Sequence, residues 1–180
     1  EKKHIDTSKT IPFVSEILNA KNIKIAQREA LMWGTHQQEA IEYGNVVHGI
    51  LSFVKTKSDV DLAITKAIED GLITISQKQL VYKTIQEIIS HKELSTYFAE
   101  GNEILNEQTI IQKEGKTIKP DRMVFTKNKE ICLLDYKTGT HNSKYQLQLE
   151  NYQNAIELMG YKVVKKSLIY IGETIDVVNW

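Results

Sequence analysis

The apolar run Ile131-Cys132-Leu133-Leu134 leads without a break into Asp135-Tyr136-Lys137. Charges are unwelcome beside such a run, so this stretch restricts the fold more than any other. Residues Pro120 to Lys137 read as two β-strands joined by the polar turn Lys127-Asn128-Lys129. Side chains alternate faces along a strand, so Asp135 and Lys137 share one face and Tyr136 takes the other. A three-residue turn pairs Thr126 with Glu130. The antiparallel count then sets Asp121 opposite Asp135, on the same face. Two unscreened carboxylates at that separation repel, and a divalent cation between them would relieve the repulsion.

Asp-x-Lys is a weak signal by itself. A similar triplet, Glu114-Gly115-Lys116, occurs upstream on a glycine turn, where the side chains would be solvated. The bland reading of Asp135 to Lys137 is a strand emerging into water. On these residues alone that reading and a functional one are evenly matched.

The rest of the chain supplies a setting. Residues 1 to 12 are polar and lysine-rich. Ser15 can cap a short helix through Ile17-Leu18. A helical region from Ile25 to Tyr43, anchored by Trp33 and Tyr43, is expected to be interrupted at Gly44. Val47, Ile50, Leu51 and Val54 then resume a helical stripe, with His48 beside it. Asp61 to Asp70 is a helix stopped by Gly71. Ser76 with Gln79 suggests a capping box opening a helix with Leu80, Val81, Thr84, Ile85, Ile88 and Ile89 as its stripe. His91 suits that helix's C-terminal dipole. The period then changes to that of strands at Glu103 to Gln112, Thr117 to Thr126 and Glu130 to Lys137. A helix from Ser143 to Leu158, with Leu147, Leu149, Ile156 and Leu158 apolar, is closed by Gly160. Strands follow at Val163 to Ile171 and Glu173 to Trp180. The expected fold class is α/β: a central mixed β-sheet flanked by helices, with a helical N-terminal half.

Composition limits the function classes. At 180 residues, 41% hydrophobic and 26% charged, the chain can bury one sizeable core, so a single domain is expected, mainly helical over 1–100 and sheet-based over 101–180. Lys+Arg and Asp+Glu are equal at 23 each, so any nucleic-acid affinity must come from a local patch or attached domains. The single cysteine, Cys132, excludes an internal disulfide and a cysteine-only zinc or iron–sulfur site within these residues, and reads as a buried thiol. No apolar run reaches membrane-spanning length and no signal peptide is visible, so a cytoplasmic location without membrane contact is expected. The chain begins at Glu1, which reads as a piece of a longer protein.

Together, these pieces resemble the PD-(D/E)XK nuclease superfamily, and within it the RecB-like domain at the C-terminus of RecB- and AddA-type helicase–nucleases. The matches are Pro120-Asp121 with Asp135-x-Lys137, Gly44-Asn45-Val46-Val47-His48, and Asp135-Tyr136-Lys137-Thr138-Gly139. Tyr145, Gln148, Leu149 and Tyr152 match the motif on the following helix, and Glu107 a glutamate on the preceding strand. The resemblance covers roughly residues 40 to 160, in the family's order. It implies a restriction-endonuclease-like core. It also implies a metal-dependent deoxyribonuclease leaving 5′-phosphate ends, an exonuclease or endonuclease acting on DNA unwound by a covalently linked helicase in repair or degradation.

The resemblance also assigns roles. His48, Asp121, Asp135 and the Tyr136 backbone carbonyl would hold one or two Mg²⁺ or Mn²⁺ ions, the imidazole suiting Mn²⁺. Lys137 would hold the attacking water and offset transition-state charge. Gln148 and Tyr152, one turn apart, would lie over the site. Glu107 would stand behind the ligands or merely be solvated. Lys119, Arg122, Lys144 and His141 would contact DNA phosphates. His4 and His36 carry no support. The cysteines that frame an iron–sulfur cluster in some relatives are missing, so no cluster is expected. A second subunit is left open. The other reading is a nuclease-fold module that binds DNA or serves structure without cutting, in which an acid or the lysine would normally be lost.

Overall fold

The computed structural model describes residues 36–113, 115–126, 130–138, 141–172 and 174–180. The anticipated cap at Ser15, the Ile17-Leu18 helix, the helix start at Ile25 and the Trp33 anchor lie outside them. Helix α1 (His36–Leu51), helix α2 (Val60–Glu69) and helix α3 (Lys78–Ser90) come first, linked by short 3₁₀ turns. A longer 3₁₀ segment, Lys92–Phe98, leads into the strands. Strands β1 (Glu103–Asn106), β2 (Ile110–Ile111), β3 (Thr117–Ile118), β4 (Arg122–Phe125) and β5 (Glu130–Thr138) follow. Helix α4 (Ser143–Leu158) and strands β6 (Lys162–Ile171) and β7 (Ile175–Asn179) complete the order.

Five strands form one sheet in the order β1-β4-β5-β6-β7, and β2 pairs with β3 separately. Only β5 and β6 run parallel, with α4 as their crossover, so the sheet is mixed and the fold α/β. Strand β5 is central and covered on both faces. Ile131, Leu133 and Leu134 are all at most 1% exposed. Their burial contributes roughly 5–9 kcal/mol of gross transfer free energy. Cys132, Leu134 and Tyr136 face α1, α2 and α3, while Ile131 and Leu133 face α4.

Gly44 does not interrupt α1, which runs unbroken from His36 to Leu51. The glycine is there for closeness. A Cβ at this position would overlap Thr138 Cγ2 on β5 and lie 3.3 Å from Thr138 Cβ and 3.4 Å from the Ile171 carbonyl oxygen. Hydrogen in place of a side chain lets the helix rest directly on the strand. His48, one turn further on, is thereby brought to the end of the sheet.

Other local differences have similar causes. The capping box forms at Thr74 with Gln77, two residues before the anticipated pair, so a 3₁₀ turn precedes α3. Leu80 is exposed, and Val81, Ile85, Ile88 and Ile89 carry the buried stripe. Leu147 and Leu158 are also exposed; α4 packs through Leu149, Tyr152, Ala155 and Ile156. His91 ends α3, its N–H donating to the Ile88 carbonyl at 3.2 Å, and also caps the next segment, its ring nitrogen accepting from the Glu93 N–H. The strands expected over 103–112 and 117–126 are each broken in two, the first after Asn106 and the second before Arg122.

Candidate functional site

The two breaks occur at the same level of the sheet, and the candidate site lies there. Residue pairing in β4 and β5 places Arg122 opposite Leu134, and one step further sets Asp121 opposite Asp135. This is the register that the three-residue turn implies, and the Thr126 N–H donates to the Glu130 carbonyl at 2.9 Å. Pairing of Asn106 with Arg122 likewise sets Glu107 opposite Asp121, and the Glu107 N–H donates to the Asp121 carbonyl at 2.9 Å. Glu107, Asp121 and Asp135 thus form a row of three acids across neighbouring strands.

Glu107 is the one non-glycine residue with positive φ, 54°, among the described residues. Such backbone costs a non-glycine residue about 1–3 kcal/mol and persists only where its surroundings impose it. Here the bond to Asp121 holds the chain in line while the strand ends.

His48 reaches the row from α1. Its Nε2 lies 2.8 Å from Glu107 Oε1 and 3.5 Å from Asp121 Oδ1. One donor atom from each of His48, Glu107 and Asp121 falls within a mutual 4.8 Å, a spacing that could hold a metal ion. Asp121 also accepts from the Tyr136 N–H at 2.7 Å, which ties its carboxylate to β5. Burial opposes protonation of His48, but the Asp121 and Glu107 carboxylates outweigh it and lift its pKa above the ordinary value.

Asp135 is the buried member, 1% exposed. Neither carboxylate oxygen has a regular hydrogen bond, and Lys137 is its ion-pair partner. Burial, reinforced by the Asp121 charge and opposed by Lys137, pushes its pKa from 3.8 up to about 7. Tyr136 turns to the opposite face, where its ring lies 5.3 Å from that of His48.

Of the remaining candidates, Gln148 and Tyr152 are joined by a hydrogen bond of 2.5 Å, and the Tyr152 hydroxyl donates to the Lys119 carbonyl at 3.2 Å. Burial, and then the charge of Asp135, push the Tyr152 pKa up to about 12. Lys119 pairs with Glu107 Oε2 at 2.5 Å. The ammonium groups of Lys137 and Lys144 both lie over the Tyr145 ring, at 4.9 and 5.0 Å. His141 is set apart from the acids, stacked 3.9 Å from Tyr170 and paired with Asp176 at 2.8 Å.

Arg122 is the correction. It is fully buried, and its guanidinium donates to the carbonyls of Tyr97 at 2.9 Å, Val54 at 2.7 Å and Lys55, and to Asn106 Oδ1 at 3.1 Å. It also stacks 4.1 Å over Phe98. An arginine so occupied contacts no DNA phosphate; it joins the segments behind the site. Its acceptors are mostly backbone carbonyls, which sequence does not mark. Sequence reasoning also missed Thr138 as the seat of α1. The available signal was a glycine one helical turn before His48.

No protein-family model matches the chain, and none of the curated proteins compared with it matches. No described helix is long and apolar enough to cross a membrane.

Proposed function

We propose that this chain is a metal-dependent deoxyribonuclease with a restriction-endonuclease-like core of the PD-(D/E)XK kind. One observation carries the reading: His48, Glu107, Asp121, Asp135 and Lys137, remote in sequence, converge at one end of the sheet. The buried Asp135 carboxylate, with Lys137 as its ion-pair partner and the Asp121 charge beside it, fits a cation ligand, since two acids against one lysine leave negative charge unbalanced there.

Asp121, Asp135, His48 and the Tyr136 carbonyl would hold Mg²⁺ or Mn²⁺, with Glu107 completing the donor set. The bound ion would lower the pKa of a water and offset charge on the departing 3′ oxygen. Lys137 shares a strand face with Asp135, where its ammonium can orient the attacking water and face the developing phosphorane charge. The Asp121–Tyr136 bond keeps the carboxylate from rotating. Gln148 and Tyr152 close the α4 side, and Lys119 and Lys144 are placed to meet the phosphodiester backbone. The substrate in this reading is unwound DNA supplied by a helicase domain of the parent chain, and the outcome is exonucleolytic release of 5′-phosphate ends.

The test is hydrolysis of single- and double-stranded DNA with Mg²⁺ or Mn²⁺, with EDTA, and with Asp135→Ala and Lys137→Ala. Each substitution should lower the rate about a hundredfold or more. Undiminished activity in both variants refutes the assignment, and equal activity in EDTA refutes the metal mechanism.

A further inference from the structure

Glu107 serves two partners. Its Oε1 faces His48 Nε2 at 2.8 Å, inside the donor cluster, while its Oε2 is held by Lys119 Nζ at 2.5 Å. Lys119 lies between β3 and β4, two residues before Asp121, with a side chain 53% exposed. Its backbone carbonyl is held by Tyr152, so the stem has a fixed origin, and the half-exposed side chain leaves the ammonium room to part from Glu107. With His48 neutral and Asp135 ionised, Glu107, Asp121 and Asp135 against Lys119 and Lys137 sum to a single negative charge. A dication added to this group would reverse the sign. Lys119, tethered by an exposed and therefore weak pair, is the positive group most readily released.

We propose that Lys119 acts as an internal counter-ion, occupying Glu107 in the ion-free protein and yielding it when a divalent cation binds. This rests on the metal-dependent reading of the site above. The released ammonium stays at the mouth of the site, beside the carboxylate row, where an arriving phosphate would receive it. Ion binding and nucleic-acid binding therefore strengthen one another, and linkage requires the effect to be equal in both directions. Lys119 is a positioning residue in this scheme.

The test uses Mn²⁺ itself, titrated by calorimetry into the full chain and into Lys119→Gln, Asp121→Asn and Lys162→Gln. Lys162 is the control because it forms a comparable exposed pair with Glu130, at 3.8 Å. It opens β6 opposite Glu130, whose place on β5 is about 23 Å from Lys137 at the usual rise per residue. Lys119→Gln should tighten Mn²⁺ binding about two- to fivefold, the range an exposed ion pair opposes. Lys162→Gln should leave it unchanged. In a Lys137→Met background, which blocks cutting, Mn²⁺ should raise affinity for a single-stranded oligonucleotide more than in the same background carrying Lys119→Gln. Unchanged or weaker Mn²⁺ binding in Lys119→Gln, or an equal Mn²⁺-induced gain in both backgrounds, overturns the proposal. Asp121→Asn separates the two readings. Mn²⁺ binding undiminished by Asp121→Asn removes the metal site and the counter-ion with it. Binding lost in Asp121→Asn but insensitive to Lys119→Gln removes the counter-ion alone.

Discussion

Replacing Gly44 by alanine tests the contact that seats α1 on the sheet. In an ordinary helix this change is favourable by about 0.8–1 kcal/mol. Here the added methyl overlaps Thr138 Cγ2 and comes within 3.3 Å of Thr138 Cβ and 3.4 Å of the Ile171 carbonyl oxygen. Thr138 ends β5 and the oxygen belongs to β6, both hydrogen-bonded into the sheet, so the helix must move instead. Overpacking of this kind costs about 1–3 kcal/mol. The net loss should be up to about 2 kcal/mol, or up to about 4–8 °C in Tm for a chain of this length. Thr138→Ser removes Cγ2 and keeps the hydroxyl. In that background Gly44→Ala should be neutral or stabilising, because the helix preference then acts almost alone. Urea unfolding of the four proteins gives the coupling directly. Gly44→Ala that stabilises the wild-type chain, or costs the same in both backgrounds, refutes the reasoning. Mn²⁺ affinity should fall in Gly44→Ala and recover in the double variant, since His48 moves with the helix.

Three further outcomes are expected. Arg122→Met takes the side-chain donor from the Tyr97 and Lys55 carbonyls, while the Val54 carbonyl keeps its bond from Asn106, and should cost about 2–4 kcal/mol in urea unfolding, without altering the salt dependence of DNA binding. In EDTA, stability should fall as pH rises from about 4 to about 7, above which Asp135 is ionised in both states: the unfolded chain releases the Asp135 proton near 3.8, whereas the folded chain holds it to about 7. The upper bound on that loss is about 4 kcal/mol. His48, whose pKa is also raised, acts in the same direction, and Asp135→Asn should flatten the profile; a metal-free protein more stable at pH 8 than at pH 5 contradicts it. Cys132, 3% exposed with its thiol pKa raised by burial, should resist an aromatic disulfide reagent until the protein is denatured, and prompt reaction of the native protein would count against its placement.

Local chemistry made some of this fold legible. The turn after Thr126 determined which acids would face each other, because one hydrogen-bonded pair sets the count for a whole hairpin. Helix α4 runs from Ser143 to Leu158 as read, with Asn142 capping its start and Gly160 at φ 89° past its end, signals carried by adjacent residues. What stayed hidden depends on distant partners. Gly44 reads as a helix breaker unless Thr138 is known to lie against it. Arg122 reads as a surface cation unless the Val54, Lys55 and Tyr97 carbonyls are known to converge. Glu107 has no sequence mark of its left-handed backbone, which its pairing with Asp121 imposes. The candidate site shows the same division. Its residues were readable along the chain, Glu107 and Lys119 among them, but the place of Glu107 in the acid row and its pairing with Lys119 emerged only with the strand register.

Arg122 has a consequence for the order in which the protein acquires its chemistry. Its four acceptors come from the loop after α1, the segment before β1 and β1 itself, at separations of 68, 67, 25 and 16 residues along the chain. No local folding event can satisfy them together, because three separate segments must meet around one guanidinium. Asp121 is its immediate neighbour. The strand register can line up the acids by itself, but the guanidinium beside them is satisfied, and His48 is delivered, only when the helical half has docked. A nascent or partly unfolded chain holds the residues of the site without holding the site.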